Sequence, residues 1–172
     1  MYNVVYTRYM PNKQLDLAYL AGLWDGEGSI TVWHSIRKVS KRRKVGADRY
    51  IAAIVLVNTN KPMIDNVERI LNDMDIYPTI YFRNRGIKNK DVYQLMSRNL
   101  TECETVLKAI YPYLIAKKQQ AKLTLQFIES RKKILLSSKG WGHGTPYSED
   151  EIKWSKEIQR LNKRGKARIL RD

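Results

Sequence analysis

The chain has 172 residues, enough for one compact domain with a sizeable core, and 43 % of them are hydrophobic, which argues against a disordered chain. Thirty-two Lys and Arg oppose 17 Asp and Glu for a formal net charge of +15, so the partner to expect is a polyanion, nucleic acid first and an acidic membrane surface second. One cysteine (Cys103) and two histidines (His34 and His143) exclude a disulfide framework and weigh against a Cys/His zinc site or a Ser-His-Asp triad.

In chain order, Leu15 to Trp24 is strongly apolar and reads as a helix, with Asn12 or Asp16 able to start it. Ser29 to Trp33 alternates, Ile30 and Val32 on one side and Ser29, Thr31 and Trp33 on the other, which is the period of a strand. After a basic turn containing Gly46, Tyr50 to Val57 is rich in Ile and Val and reads as its hairpin partner. Asn58-Thr-Asn60 closes that strand and caps a helix carrying Ile64, Val67, Ile70, Leu71 and Met74 on one face. The pattern then repeats: a strand over Tyr77 to Arg85, a turn over Gly86 to Lys90, and a strand over Val92 to Ser97. Helices follow from about Thr101 to Ile110 and from about Ala116 to Leu136. A Gly-rich loop from Ser137 to Tyr147 precedes a last helix, whose start Ser148-Glu-Asp-Glu151 has capping-box spacing. Cys103 falls among Thr101, Glu102 and Glu104 and reads as a small packed residue.

The expected fold is α+β, with an antiparallel sheet covered by helices on one face. Residues 13–165 form the domain, 1–12 an N-terminal extension and 166–172 a basic tail. No apolar run approaches the ~20 residues of a membrane span, and Met1 to Lys13 lacks the apolar centre of a secretory signal. An intracellular protein with no membrane partner is therefore expected, of organellar, bacterial, archaeal or phage origin. Charge is concentrated on the hairpins: Arg37 to Arg49 holds seven basic residues and one acid, and Arg83 to Arg98 five and one. The uncovered sheet face should be positive, and an antiparallel ribbon can enter the major groove of DNA.

One stretch carries chemistry. Gly22, Gly26 and Gly28 interrupt a good helix at about 1 kcal/mol each. Gly22 and Gly26 share a helix face, where missing side chains let two backbones approach. Asp25 and Glu27 arrive at the helix C-terminus, the unfavourable end of its dipole for acids, so a compensating cation is expected.

Leu20-Ala-Gly-Leu-Trp-Asp-Gly-Glu-Gly28 resembles the signature of the LAGLIDADG homing endonucleases. The element order is similar to that family's αββαββα core with its saddle-shaped antiparallel sheet for DNA. Tyr111-Pro-Tyr-Leu-Ile-Ala-Lys-Lys-Gln-Gln-Ala121 looks like its later helix start, and Asn162-Lys-Arg like the end of its last helix. The signature occurs once, and single-copy members act as homodimers with their signature helices packed at the two-fold axis. The resemblance thus implies a homodimeric homing endonuclease that serves intron or intein mobility. It would make metal-dependent cuts in both strands of a long pseudo-palindromic site, across the minor groove and with short 3′ overhangs, using no small-molecule cofactor. Glu27 and the carbonyl of Gly26 would bind Mg²⁺ or Mn²⁺, ions suited to oxygen ligands. Asp25 would be a structural cap. Lys117 would sit near the scissile phosphate, and Thr59, or Asn58 or Asn60 if the loop is shifted, would hold water. Leu20, Gly22, Leu23 and Gly26 would form the contact between copies. An intron-RNA-binding splicing maturase and a non-cutting DNA-binding relative are the alternatives.

DNA contacts then follow from strand alternation. Thr31, Trp33, Ser35 and Arg37 share the parity of Glu27 and should face the duplex, as should Arg83 and Arg85, and Gln94 and Arg98. Arg reads guanine and Gln adenine through paired hydrogen bonds. Arg49 adds to the binding face, and Lys41, Arg42, Arg43 and Lys44 at the hairpin tip should grip phosphates. Tyr81, Trp33 and Trp154 read as core or hairpin-packing aromatics rather than stacking platforms. The second strand is apolar on both faces after Tyr50, so either it reads little beyond thymine methyls or its register differs from the family's.

Overall fold

The first helix, α1, spans Lys13–Gly26 and turns Leu20, Ala21 and Trp24 into the core. It opens a computed structural model that describes residues 13–37, 46–86, 90–137 and 145–163. The strand β1 (Gly28–Arg37) follows at once and pairs antiparallel with β2 (Ala47–Asn58), Gly28 opposite Leu56 and Arg37 opposite Ala47. Both strands run beyond the alternating segments read from sequence, because cross-strand pairing continues toward the hairpin tip. The tip, with Lys41, Arg42, Arg43 and Lys44, lies outside the described residues, as do 1–12 and 164–172.

The helix α2 (Lys61–Asn72) is capped by Asn60, whose side chain accepts from the Met63 N–H, and Pro62 in the first turn forfeits no helical hydrogen bond. Its apolar face buries Ile64, Val67, Ile70 and Leu71. The strands β3 (Thr79–Arg83) and β4 (Val92–Ser97) form the second hairpin. β3 is shorter than the sequence suggests. Pro78 has no N–H to give a ladder, and past Arg83 the chain turns, Gly86 at φ +75° donating to the Asn84 side chain at 2.7 Å.

The helix α3 (Leu100–Ile110) starts from Asn99, a short 3₁₀ turn covers Tyr111–Tyr113, and α4 runs Lys118–Ser137. Cys103 is fully buried on α3, and burial pushes its thiol up to about 11, which makes it an inert packing group. The last helix, α5 (Glu149–Asn162), has the expected capping box: Ser148 and Glu151 exchange side-chain-to-backbone hydrogen bonds. Just before it, Arg131 donates to the carbonyls of Pro146 and Thr145, at 3.0 and 2.8 Å.

The four strands form one antiparallel sheet in the order β1-β2-β4-β3, so pairing of β2 with β4 joins the two hairpins. The architecture is α+β. One face carries Ile30, Val32, Ala52, Ile54, Leu56 and Leu95 into a core shared with residues of all five helices. β1 is an edge, and α5 covers it: Ser155 and Gln159 donate to the Val32 carbonyl and Asn162 to that of Ile30. Side chains thus satisfy edge carbonyls that another chain could otherwise pair with. Among the described residues no helix is long and apolar enough to cross a membrane.

Candidate functional site

α1 stops at Gly26 because three features meet there. The Glu27 N–H still donates to the Leu23 carbonyl at 2.8 Å, but β1 begins at the next residue. Gly28 has to be glycine, since a Cβ would lie 2.6 Å from Trp24 Cδ1 and 2.7 Å from its Cα. The third feature is Lys117, whose Nζ donates to the carbonyls of Trp24 and Asp25 at 2.7 and 2.6 Å. A cation on the last carbonyls satisfies them and balances the negative end of the dipole. The compensating charge expected at this helix end is therefore supplied from within the chain.

Asp25 completes the exchange in the opposite direction. Its two carboxylate oxygens accept from the backbone N–H groups of Ile115 and Lys117, at 2.7 and 2.8 Å. Burial would raise its pKa, yet the N–H groups of Ile115, Lys117 and Ala116, with the Lys117 charge, together hold it below the ordinary aspartate value. α4 starts at Lys118, two residues later than periodicity suggests, and Asp25 holds the turn just before it. Both Asp25 oxygens are thus engaged within the chain.

Glu27 is different. It is exposed at the junction of helix and strand, and alternation puts it on the open side of the sheet with Ser29, Thr31 and Trp33. No described hydrogen bond ends on the Gly26 carbonyl beside it. Continuing the Gly28–Leu56 pairing brings Val57 and then Thr59 to the same end of the sheet. Thr59 is exposed and its hydroxyl makes no described hydrogen bond, whereas the carboxamide oxygens of Asn58 and Asn60 are committed to the N–H groups of Asn60 and Met63.

The open sheet face holds Thr31, Trp33 and Ser35 on β1, Arg49 on β2, Gln94 on β4 and Arg83 on β3, with Arg98 just past β4. Arg85 lies beyond the end of β3 and is exposed; Arg37 closes β1 at the register position facing Ala47. Tyr81 is on this face and exposed, opposite Gln94 in the β3–β4 hairpin, with its hydroxyl accepting from Arg98 at 3.2 Å. Trp33 also points away from the core, while Trp154 packs against it.

The proposed contact face of α1 needs one correction. Leu20 is 0 % exposed within the chain's own core, and Leu23 is half-buried against it, so Leu20 has no surface to offer a second copy. Gly22 and Gly26 are exposed, and a Cβ on either would meet open space. Beside them the same helix exposes Ala18, Leu15 at 61 % and Tyr19 at 39 %. The exposure of Leu15, Ala18 and Tyr19 follows from the 3.6-residue period once the buried side of the helix is known.

The described residues contain no group of three His, Cys, Asp or Glu able to hold a metal. Within one copy, Glu27 is an exposed carboxylate at the end of the basic open sheet face. Residues 14–111 match the family described as a LAGLIDADG-like domain, and the chain belongs to it.

Solved structures of similar fold include the homing endonuclease I-CvuI in complex with its target in the presence of Ca. It is 21 % identical, over 90 % of this chain and 86 % of that one, with a TM-score of 0.64. The archaeal intron-encoded homing endonuclease I-Vdi141I complexed with DNA is 15 % identical, over 89 % and 87 %, with a TM-score of 0.63. The I-LtrWI LAGLIDADG homing endonuclease bound to target DNA, 17 % identical with a TM-score of 0.58, matches 86 % of this chain but 44 % of its own. A comparison with curated protein sequences finds no match.

Proposed function

We propose that the chain is a homodimeric homing endonuclease that cuts both strands of a long pseudo-palindromic DNA site in a reaction requiring a divalent metal. The observation that carries this reading is Glu27, an exposed carboxylate beside two glycines that no packing among the described residues requires. Glycine inside a helix is unfavourable by about 1 kcal/mol relative to alanine. Packing of Gly22 and Gly26 against a second copy of α1 gives the missing reason, and it brings two Glu27 carboxylates together. The names of the similar structures, homing endonucleases held with DNA, support the same activity.

Glu27 and the Gly26 carbonyl are all-oxygen donors, which fits Mg²⁺ or Mn²⁺ once a second copy adds its own pair. A bound ion of this kind supplies charge stabilisation and an acidified water for phosphodiester hydrolysis. Lys117 holds the end of α1, and hence Glu27, while adding positive charge where a phosphate would lie. The Thr59 hydroxyl orients water at the same end of the sheet. Arg49, Arg83, Gln94 and Arg98 face base edges, and the basic hairpin tip binds phosphates.

The test starts from sites selected out of a randomised duplex library by the full-length protein. With Mg²⁺ the wild type should cut the selected site in both strands, and removal of the ion with chelator should stop it. Binding of a selected site without cleavage under any divalent ion would leave only the DNA-binding relative.

A further inference from the structure

The middle of the open sheet face is apolar, and its register is fixed. Along β2 this face carries Arg49, Ile51, Ala53, Val55 and Val57, opposite Ser35, Trp33, Thr31 and Ser29 of β1 for the first four. On the other side Val55 meets Met96, and Val57 meets Gln94. Ala53 and Met96 are buried, Ile51 and Val55 half-buried, and Val57 is 42 % exposed. The helices take the alternate residues Ala52, Ile54 and Leu56, so this second apolar strip is not core. Its rim is made of hydrogen-bond donors: Arg49, Gln94, Arg83 and Arg98, with Ser29, Thr31 and Ser35. No described strand residue on this face is acidic, and Glu27 stands at its end.

Resting on the reading that this face lies along DNA, we propose that Val57, Val55 and Ile51 read the 5-methyl groups of thymine. The thymine methyl is the one apolar feature the base edges present in the major groove. Guanine O6 and N7, or the cytosine amino group, set against valine would lose water without gaining a partner. The strip therefore selects by matching methyls and by rejecting G·C pairs.

Geometry fixes where. The six residue steps from Val57 to Ile51, at about 3.4 Å each, cover about 20 Å, or roughly six base-pair steps. Val57 lies at the Glu27 end, so the thymine-dependent block begins beside the cut centre in each half-site. Arg49, next along the same face, marks where hydrogen-bonded readout resumes.

The test is a binding selection from two randomised duplex libraries, one made with thymine and one with deoxyuridine in its place. The thymine library should yield a consensus with thymines on either strand across the inner block. The uracil library should lose enrichment there by about fourfold per methyl and keep the outer positions. Val55→Thr and Val57→Thr, which preserve shape, should weaken the inner positions alone, the retained outer consensus showing that they fold. The same inner consensus with uracil as with thymine, or an inner block of G·C pairs, would overturn the methyl readout while leaving DNA binding intact. Enrichment of no sequence from either library would overturn the DNA reading itself.

Discussion

Asp25 and Glu27 stand two residues apart and have opposite surroundings. Asp25 accepts two backbone N–H groups and joins α1 to the start of α4; Glu27 projects from the helix end into the open. Replacing Asp25 with Asn should destabilise the fold by about 1 kcal/mol, since one of its two acceptor oxygens and the charge are lost. The sign with pH follows from its lowered pKa. Its stabilisation is complete above the ordinary aspartate range and is lost as pH falls through the lowered folded value. Urea midpoints should therefore separate wild type from Asp25→Asn at neutral pH and converge toward strong acid. Lys117→Met strips a cation from two α1 carbonyls. It should lower both stability and cleavage rate; wild-type cleavage by this variant would remove Lys117 from the account.

At the scale of the element, the three glycines of the signature separate by purpose. Gly28 serves the chain itself, because a Cβ there collides with the Trp24 backbone and ring. At Gly22 and Gly26 an added Cβ would meet none of the described residues within 4 Å. Gly28→Ala should thus unfold or strongly destabilise the protein. Gly22→Ala should leave the dissociated protomer as stable or up to about 1 kcal/mol more stable and weaken association, seen together in thermal melts of dilute protein and in sedimentation equilibrium. Tighter association in the alanine variant would contradict the packed-helix assembly.

The same elements show what the sequence could reveal. Alternation in β1 and the β-branched run of β2 marked the strands, and Ser148 with Glu151 marked the start of α5, because these signals are local. The nine-residue signature marked Glu27 for the same reason. Periodicity could not tell that Leu20 faces the core and Leu15, Ala18 and Tyr19 do not, since all lie on an apolar helix and only packing chooses between them. Nor could it tell that Lys117 closes α1 or that Asn162 covers the Ile30 carbonyl, contacts that join residues more than 90 positions apart.

For the whole molecule, the numbers of copies and of carboxylates are one question. The chain spans most of I-CvuI and I-Vdi141I but 44 % of I-LtrWI, so the fold is found both as a whole chain and as less than half of a longer one. With +15 net charge, binding should weaken steeply with salt. Arg83→Gln or Arg98→Gln should cost about 1–3 kcal/mol in specific binding if each reads a guanine, and should reduce discrimination at one base pair. The central claim is that two Glu27 carboxylates, one from each copy, cut two strands. Cleavage of a plasmid bearing a selected site, by wild type, Glu27→Gln and an equimolar mixture of the two, tests this most directly. Wild type should linearise the plasmid, Glu27→Gln should bind it and leave it intact, and the mixture should accumulate nicked circles beyond what residual wild type gives. Linearisation by Glu27→Gln at the wild-type rate would contradict the claim.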